Sequence, residues 1–108
     1  MTKQANLYSQ VSEGQFQAGL ALIEMLKPQP GHKILDVGAG TGNLTFELAK
    51  KVQPDGYVIA IEPDSERIDL AQLDQPKDID NIRWVNHTLA NLGHAFQSEF
   101  DGAFSNYV

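Results

Sequence analysis

The sequence predicts an α/β fold built on an open parallel sheet. Three observations predict it. Segments with helical periodicity alternate with short apolar strands, the pattern of a parallel sheet joined by right-handed crossovers. The first two strand segments are apolar almost without interruption, as strands covered on both faces are. A glycine-rich turn follows the first strand, and an acidic residue ends the second, where open α/β sheets bind ligands.

The elements follow in order. Phe16, Leu20, Ile23 and Leu26 recur at three- and four-residue steps and predict a helix over 13–27. Ser12 and Gln15 have the spacing of a capping box, which places the helix start near Ser12 and leaves 1–12 as a flexible or lid-like segment. Pro28, Pro30 and Gly31 stop the helix. Lys33 to Val37 is the first strand, and Asn43 to Val52 the next helix, with Leu44, Leu48 and Val52 as its inner stripe. Pro54-Asp55-Gly56 is a turn. Tyr57 to Ile61 is the second strand, and Ser65 to Leu73 a third helix with Asp64 as its N-cap. The polar stretch Asp74 to Asp80 contains Pro76 and reads as a loop. Ile82 to Asn86 is the third strand, Leu89 to Phe96 reads as a short helix without a decisive pattern, and Phe100 to Asn106 is the fourth strand.

Length and composition narrow the function classes. The 108 residues fit one domain, 1–108. A hydrophobic fraction of 42% and a charged fraction of 20% are those of a soluble globular chain. The absence of cysteine excludes disulfides, zinc-thiolate sites and thiol nucleophiles, and suits a cytoplasmic setting. No apolar run approaches the ~20 residues needed to span a bilayer, and residues 1–10 carry no signal-peptide pattern, so no membrane partner is expected. The net charge is −6, and residues 55–108 hold ten of the acidic side chains against three basic ones. Such a surface disfavours nucleic acid through this segment and suits a cationic ligand by long-range attraction.

The chemistry-bearing feature is the turn Gly38-Ala39-Gly40-Thr41-Gly42. Glycines permit positive φ and close approach of a ligand to the main chain. The helix that follows points its N-terminal N–H groups and partial positive charge at that ligand. The pattern is G-x-G-x-G, and Asn43 occupies the third-glycine place of the dinucleotide form G-x-G-x-x-G. Glu62 lies 20 residues after Gly42, at the end of the second strand, where a carboxylate accepts hydrogen bonds from a ribose diol. Loop and acid together point to an adenosine-containing cofactor.

These residues resemble the class I S-adenosylmethionine-dependent methyltransferases. Ile34-Leu35-Asp36-Val37-Gly38-Ala39-Gly40-Thr41-Gly42 is close to that family's first motif. Val58-Ile59-Ala60-Ile61-Glu62 resembles its second strand, Ile82-Arg83-Trp84-Val85-Asn86 its third, and Phe100-Asp101-Gly102-Ala103-Phe104-Ser105-Asn106 its fourth. The resemblance implies a Rossmann-like sheet in the order 3-2-1-4 with helices on both faces, and S-adenosylmethionine as cofactor. It implies that Gly38, Ala39, Gly40 and Gly42 line the methionine part, and that Asp36 orders the loop or binds near the cofactor's amino group. Glu62 then holds the ribose hydroxyls, Pro63 lies against the adenine, and Asn106 sits near the methionine end. Many relatives place an acid just after strand three to bond the adenine amino group. Thr88 stands there in this sequence, able to accept through its hydroxyl, with His87 before it as a rim residue or cofactor contact. Tyr8, Ser12 and Gln15 resemble a Tyr-x-x-x-Ser-x-x-Gln pattern that folds over the cofactor in some small-molecule methyltransferases. The capping-box reading of Ser12 and Gln15 stands beside it.

The family sheet has seven strands and this sequence supplies four, so the chain reads as the cofactor-binding front part of such an enzyme, with a small-molecule acceptor expected. The outer edge of the fourth strand, Ala103-Phe104, would then favour a homodimer. Methyl transfer needs alignment and electrostatics from the protein rather than a metal or covalent nucleophile. The sequence offers no clear general base: His32 precedes the first strand, and His94 falls in the undecided segment. Ser105-Asn106-Tyr107-Val108 departs from the Asn-Pro-Pro-Tyr motif of adenine and glutamine amino-group methyltransferases. Two other readings remain: a cofactor-binding module without turnover, and a nicotinamide-dependent oxidoreductase, against which Asn43 argues.

Overall fold

A computed structural model describes residues 3–40, 42–87 and 100–105, with side chains from Gly14 onward. The elements are α1 (Lys3–Leu26), β1 (Lys33–Val37), α2 (Asn43–Val52), β2 (Tyr57–Ile61), α3 (Ser65–Asp74), β3 (Ile82–Val85) and β4 (Gly102–Ser105). The four strands form one parallel sheet in the order β3-β2-β1-β4. Sheet order and the expected spans of β1, α2 and β2 agree with the sequence reading. The segment 89–96, read as a short helix, lies outside the described residues.

The main correction is at the N-terminus. α1 begins at Lys3 rather than near residue 13, so Ser12 and Gln15 lie within a 24-residue helix and do not cap it. Between Lys3 and Ser12 there is no glycine or proline, and Lys3, Gln4, Ala5, Leu7 and Gln10 are good helix formers, so nothing in this stretch ends the helix. β4 begins at Gly102 rather than Phe100, and among the described residues Gly102 to Ser105 pair with Ile34 to Val37 of β1.

Register explains the core. Ile34, Val58 and Ile82 align across β1, β2 and β3, with Gly102 beside Ile34 on β4; the next inward row is Asp36, Ala60, Trp84 and Phe104. On this face Ile23 of α1 and Leu48, Ala49 and Val52 of α2 pack with Ile34, Val58, Ile79 and Phe104. The opposite face gathers Leu35, Ile59 and Ile61, with Val37, Tyr57, Val85 and Phe100 against them. Strand residues alternate between the two faces because side chains along a strand do. Both faces are apolar, which is why the strand sequences lack polar alternation.

α2 buries a broader side than the expected stripe, and Leu48 and Val52 lie in it as expected. Its buried side is Thr45, Phe46, Leu48, Ala49 and Val52, while Leu44 is partly buried and packs toward Gly19 of α1. A Cβ on Gly19 would run into the Leu44 side chain, so Gly19 is where α1 meets the start of α2. Leu26, near the other end of α1, approaches Gly102 at the start of β4. α1 therefore runs antiparallel to the strands, with its N-terminal part toward their C-terminal ends.

The strand ends away from the glycine turn are tied by polar contacts. Asp101 Oδ2 accepts from Lys33 N at 2.8 Å, and Asp101 N donates to Lys33 O at 2.8 Å. Asn81 Nδ2 donates to Ala49 O at 2.9 Å and Gly56 O at 3.1 Å, joining α2, the following turn and the approach to β3. Among the described residues, no helix is long and apolar enough to cross a membrane.

Candidate cofactor site

The glycine turn leaves β1 at the C-terminal edge of the sheet, beside the end of β2. Gly38, Gly40 and Gly42 all have positive φ, at 72°, 62° and 89°, a region that costs other residues about 1–2 kcal/mol. The three glycines divide the work. Gly38 N and the adjacent Ala39 N both donate to Ile61 O, at 2.9 and 3.0 Å, so the turn is fastened to the last residue of β2. Gly40 stands clear: among the described residues, a Cβ there would meet nothing within 4 Å. Gly42 is a packing residue and the N-cap of α2. A Cβ on it would lie 2.9 Å from Trp84 Cη2 and 3.1 Å from both Ala71 Cβ and Phe46 Cζ.

Trp84 closes that side. Its ring meets Phe46 edge-on at a centroid distance of 6.4 Å and an interplanar angle of 82°, a favoured aromatic geometry. Its indole Nε1 donates to Gln75 Oε1 at 2.9 Å. Trp84 thus supports the turn from behind while its polar atom is satisfied.

Glu62 is buried at 4% exposure. Its Oε1 accepts from Gly40 N at 2.8 Å and its Oε2 from Asp64 N at 2.9 Å. A carboxylate has about four acceptor positions, so Glu62 holds both neighbouring backbones and keeps capacity for a diol. Asn86 stabilises the same corner: its Nδ2 donates to Glu62 O at 3.0 Å and Pro63 O at 2.9 Å. Pro63 is exposed beside it. Asp64 caps α3 as expected, accepting from Glu66 N at 3.0 Å.

Asp36 is the second buried acid, at 2% exposure. Thr45 Oγ1 donates to Asp36 Oδ2 at 2.6 Å, a short bond of the kind that charged acceptors make. Burial pushes the Asp36 carboxyl up from 3.8 to about 6; the Thr45 hydroxyl opposes that rise, and the Glu62 charge adds to it. Two carboxyl groups near one glycine turn favour a cationic group between turn and strand ends.

Asp36, Gly38, Ala39, Gly40, Gly42, Glu62 and Pro63 therefore gather at one corner of the sheet. Gln15 is exposed on α1, and Tyr8 lies in the same helix, on the part that runs toward the strands' C-terminal ends. Thr88, Asn106 and the side chain of Tyr8 lie outside the described residues. Sequence reasoning missed Thr45, Trp84 and Asn86. A hydroxyl on the inward side of the helix after the turn, three residues past Gly42, was the signal for Thr45. Trp84 and Asn86 owe their roles to strand register, which the sequence does not display.

A parallel sheet in the order 3-2-1-4, a glycine turn after its first strand and a buried acid after its second define a Rossmann-like nucleoside-binding α/β protein. A family model described as "Methyltransferase domain" matches residues 34–108, and the chain belongs to that family. Protein-L-isoaspartate O-methyltransferase of Methanopyrus kandleri is 47% identical over 51 residues, which are 47% of this chain and 23% of that protein. The crystal structure of TrmN from Thermus thermophilus superposes with a TM-score of 0.70 at 26% identity, over 81% of this chain and 26% of that one. Aeropyrum pernix fibrillarin, solved with natively bound S-adenosyl-L-methionine, shares the fold with a TM-score of 0.61 at 17% identity, over 73% of this chain and 35% of that one. The chain thus spans about a quarter of the length of the curated relative.

Proposed function

We propose that this chain is the cofactor-binding portion of an S-adenosylmethionine-dependent methyltransferase that acts on a small molecule. The observation that carries this reading is the linked pair of Gly40 and Glu62: a glycine turn whose N–H is held by a buried carboxylate, the one this reading assigns to the ribose hydroxyls. Family membership and the cofactor held by fibrillarin on the same fold support it.

The residues present fit the cofactor. Glu62 offers its remaining acceptor positions to the ribose hydroxyls, Pro63 an apolar surface to the adenine, and Gly40 the open space for the methionine part. Asp36 and Glu62 supply negative charge toward an ammonium and a sulfonium. When bound, S-adenosylmethionine supplies an activated methyl group to a nucleophilic atom of the acceptor. The chain's part is to hold the ribose and methionine ends at a fixed separation, which the Gly40–Glu62 bond sets, and so to align the methyl group. In the same reading, Tyr8 and Gln15 of α1 close over the cofactor.

Calorimetric titration with S-adenosylhomocysteine and with NAD tests the reading. Binding of S-adenosylhomocysteine with NAD at least tenfold weaker is expected. Tighter binding of NAD would overturn it in favour of an oxidoreductase-type site.

A further inference from the structure

We propose that Thr45 is a positioning residue for the cofactor site, acting through Asp36: its hydroxyl fixes the carboxylate's rotation and favours the ionised form that meets the cofactor's ammonium group. The inference rests on the cofactor reading above, but its central measurement does not.

The geometry is specific. Thr45 is fully buried in the first turn of α2, on the side facing β1. Threonine is a poor choice for an inward helix position unless its hydroxyl has a partner, since burying an unpaired hydroxyl is costly. Here Oγ1 donates to Asp36 Oδ2 at 2.6 Å. The bond fixes one oxygen of the carboxylate in place.

Little else around Asp36 can do this. Its register partners Ala60 and Phe104 are apolar. Glu62, after β2, is the charged group acting on it, and a second carboxylate opposes ionisation. On α2, Glu47 and Lys50 pair with each other at the surface, at 3.6 Å. Among the described residues, the hydroxyl is the one neighbour that favours the charged carboxylate.

The test follows the Asp36 carboxyl carbon by NMR through a pH titration of the free protein, in wild type, Thr45→Val and Thr45→Ser. Calorimetry with S-adenosylhomocysteine across the same range accompanies it. Thr45→Val should raise the Asp36 midpoint by about half a unit or more. It should weaken binding by about twofold at pH 6 and up to about threefold below it, with recovery as pH rises, and Thr45→Ser should restore both. A folded Thr45→Val protein that titrates like wild type overturns the proposal, as does failure of serine to rescue. Should valine not fold, Thr45→Ala carries the same comparison. Absence of S-adenosylhomocysteine binding by wild type at every pH would sink the cofactor reading instead, and the free-protein titration would still decide the role of Thr45.

Discussion

Glu62 Oε1 accepts a hydrogen bond from Gly40 N at 2.8 Å across 22 residues of sequence. The acid at the end of β2 is therefore also the clamp of the glycine turn after β1. A group expected to meet a ligand at one end of the site sets the shape of the other end. Binding and turn geometry are coupled through one carboxylate.

Glu62→Ala should accordingly do more than remove a ligand contact. Gly40 N and Asp64 N would lose their acceptor, at a cost of about 1–3 kcal/mol where they are shielded from water. The expected result is a lower unfolding midpoint in urea, faster exchange of the Gly40 amide, and at least tenfold weaker S-adenosylhomocysteine binding. Glu62→Gln keeps one acceptor oxygen but sets an amide donor against a backbone N–H, so it should fall between the two. An unchanged Gly40 exchange rate in Glu62→Ala would show that the turn does not depend on the clamp.

Gly40 and Gly42 should separate binding from folding. Gly40→Ala meets nothing within 4 Å among the described residues, so its cost is the φ of 62°, about 1–2 kcal/mol, while the added methyl would enter the space proposed for the cofactor. Gly42→Ala adds overpacking against Trp84, Ala71 and Phe46 to a φ of 89°, for about 2–5 kcal/mol. Thermal unfolding and calorimetry on the two variants check this. Gly40→Ala should fold and bind poorly, and Gly42→Ala should lose stability first. Equal stability losses would contradict this division of labour.

How much of this was legible in the sequence differs by level. The spans of β1, α2 and β2 are marked by unbroken apolar runs between glycine and proline signals, and those spans agree with the structure. The gathering of Asp36, the glycines, Glu62 and Pro63 follows from parallel strands ending at one edge, which the alternation of elements implies. The start of α1 was misplaced because a local capping box resembles a true one, while helix propensity upstream carries no visible boundary. Gly42's packing role was hidden because Trp84 reaches it through the pairing of β2 with β3, a long-range fact. Thr45 was hidden because its purpose lies in the burial of Asp36, and a one-dimensional pattern does not report burial.

Asp36 should make the protein less stable as pH rises. A carboxyl whose folded value is raised binds its proton more tightly in the folded state. Its stabilisation is fully present below 3.8 and is lost as pH rises through about 6. The span of about two units corresponds to at most about 3 kcal/mol at ~1.36 kcal/mol per unit. Asp36→Asn should therefore be more stable than wild type at pH 7, with the gain gone at pH 4, and should bind S-adenosylhomocysteine weakly. Paired melting curves at the two pH values measure the difference directly. A stability gain that persists at pH 4 would place its origin elsewhere.

Asn81 provides the contrast of a polar residue that serves folding alone. It lies before β3, at the strand ends opposite the glycine turn, and its Nδ2 donates to both Ala49 O and Gly56 O. The buried Oδ1 has no hydrogen-bond partner among the described residues, so the amide is oriented by its two donor bonds, and the flipped form would set oxygen against two carbonyls. Asn81→Ala should cost about 1–3 kcal/mol from the stranded carbonyls. Asn81→Asp should cost more at pH 7, because a carboxylate cannot donate and would face two carbonyl dipoles. Protonation would return one donor, so the aspartate variant should recover toward the alanine variant as pH falls toward 4. Both should bind S-adenosylhomocysteine as wild type does wherever they remain folded. A loss of affinity in folded Asn81→Ala would mean that strain at one edge of the sheet is felt at the other, and the separation of folding from binding residues would fail.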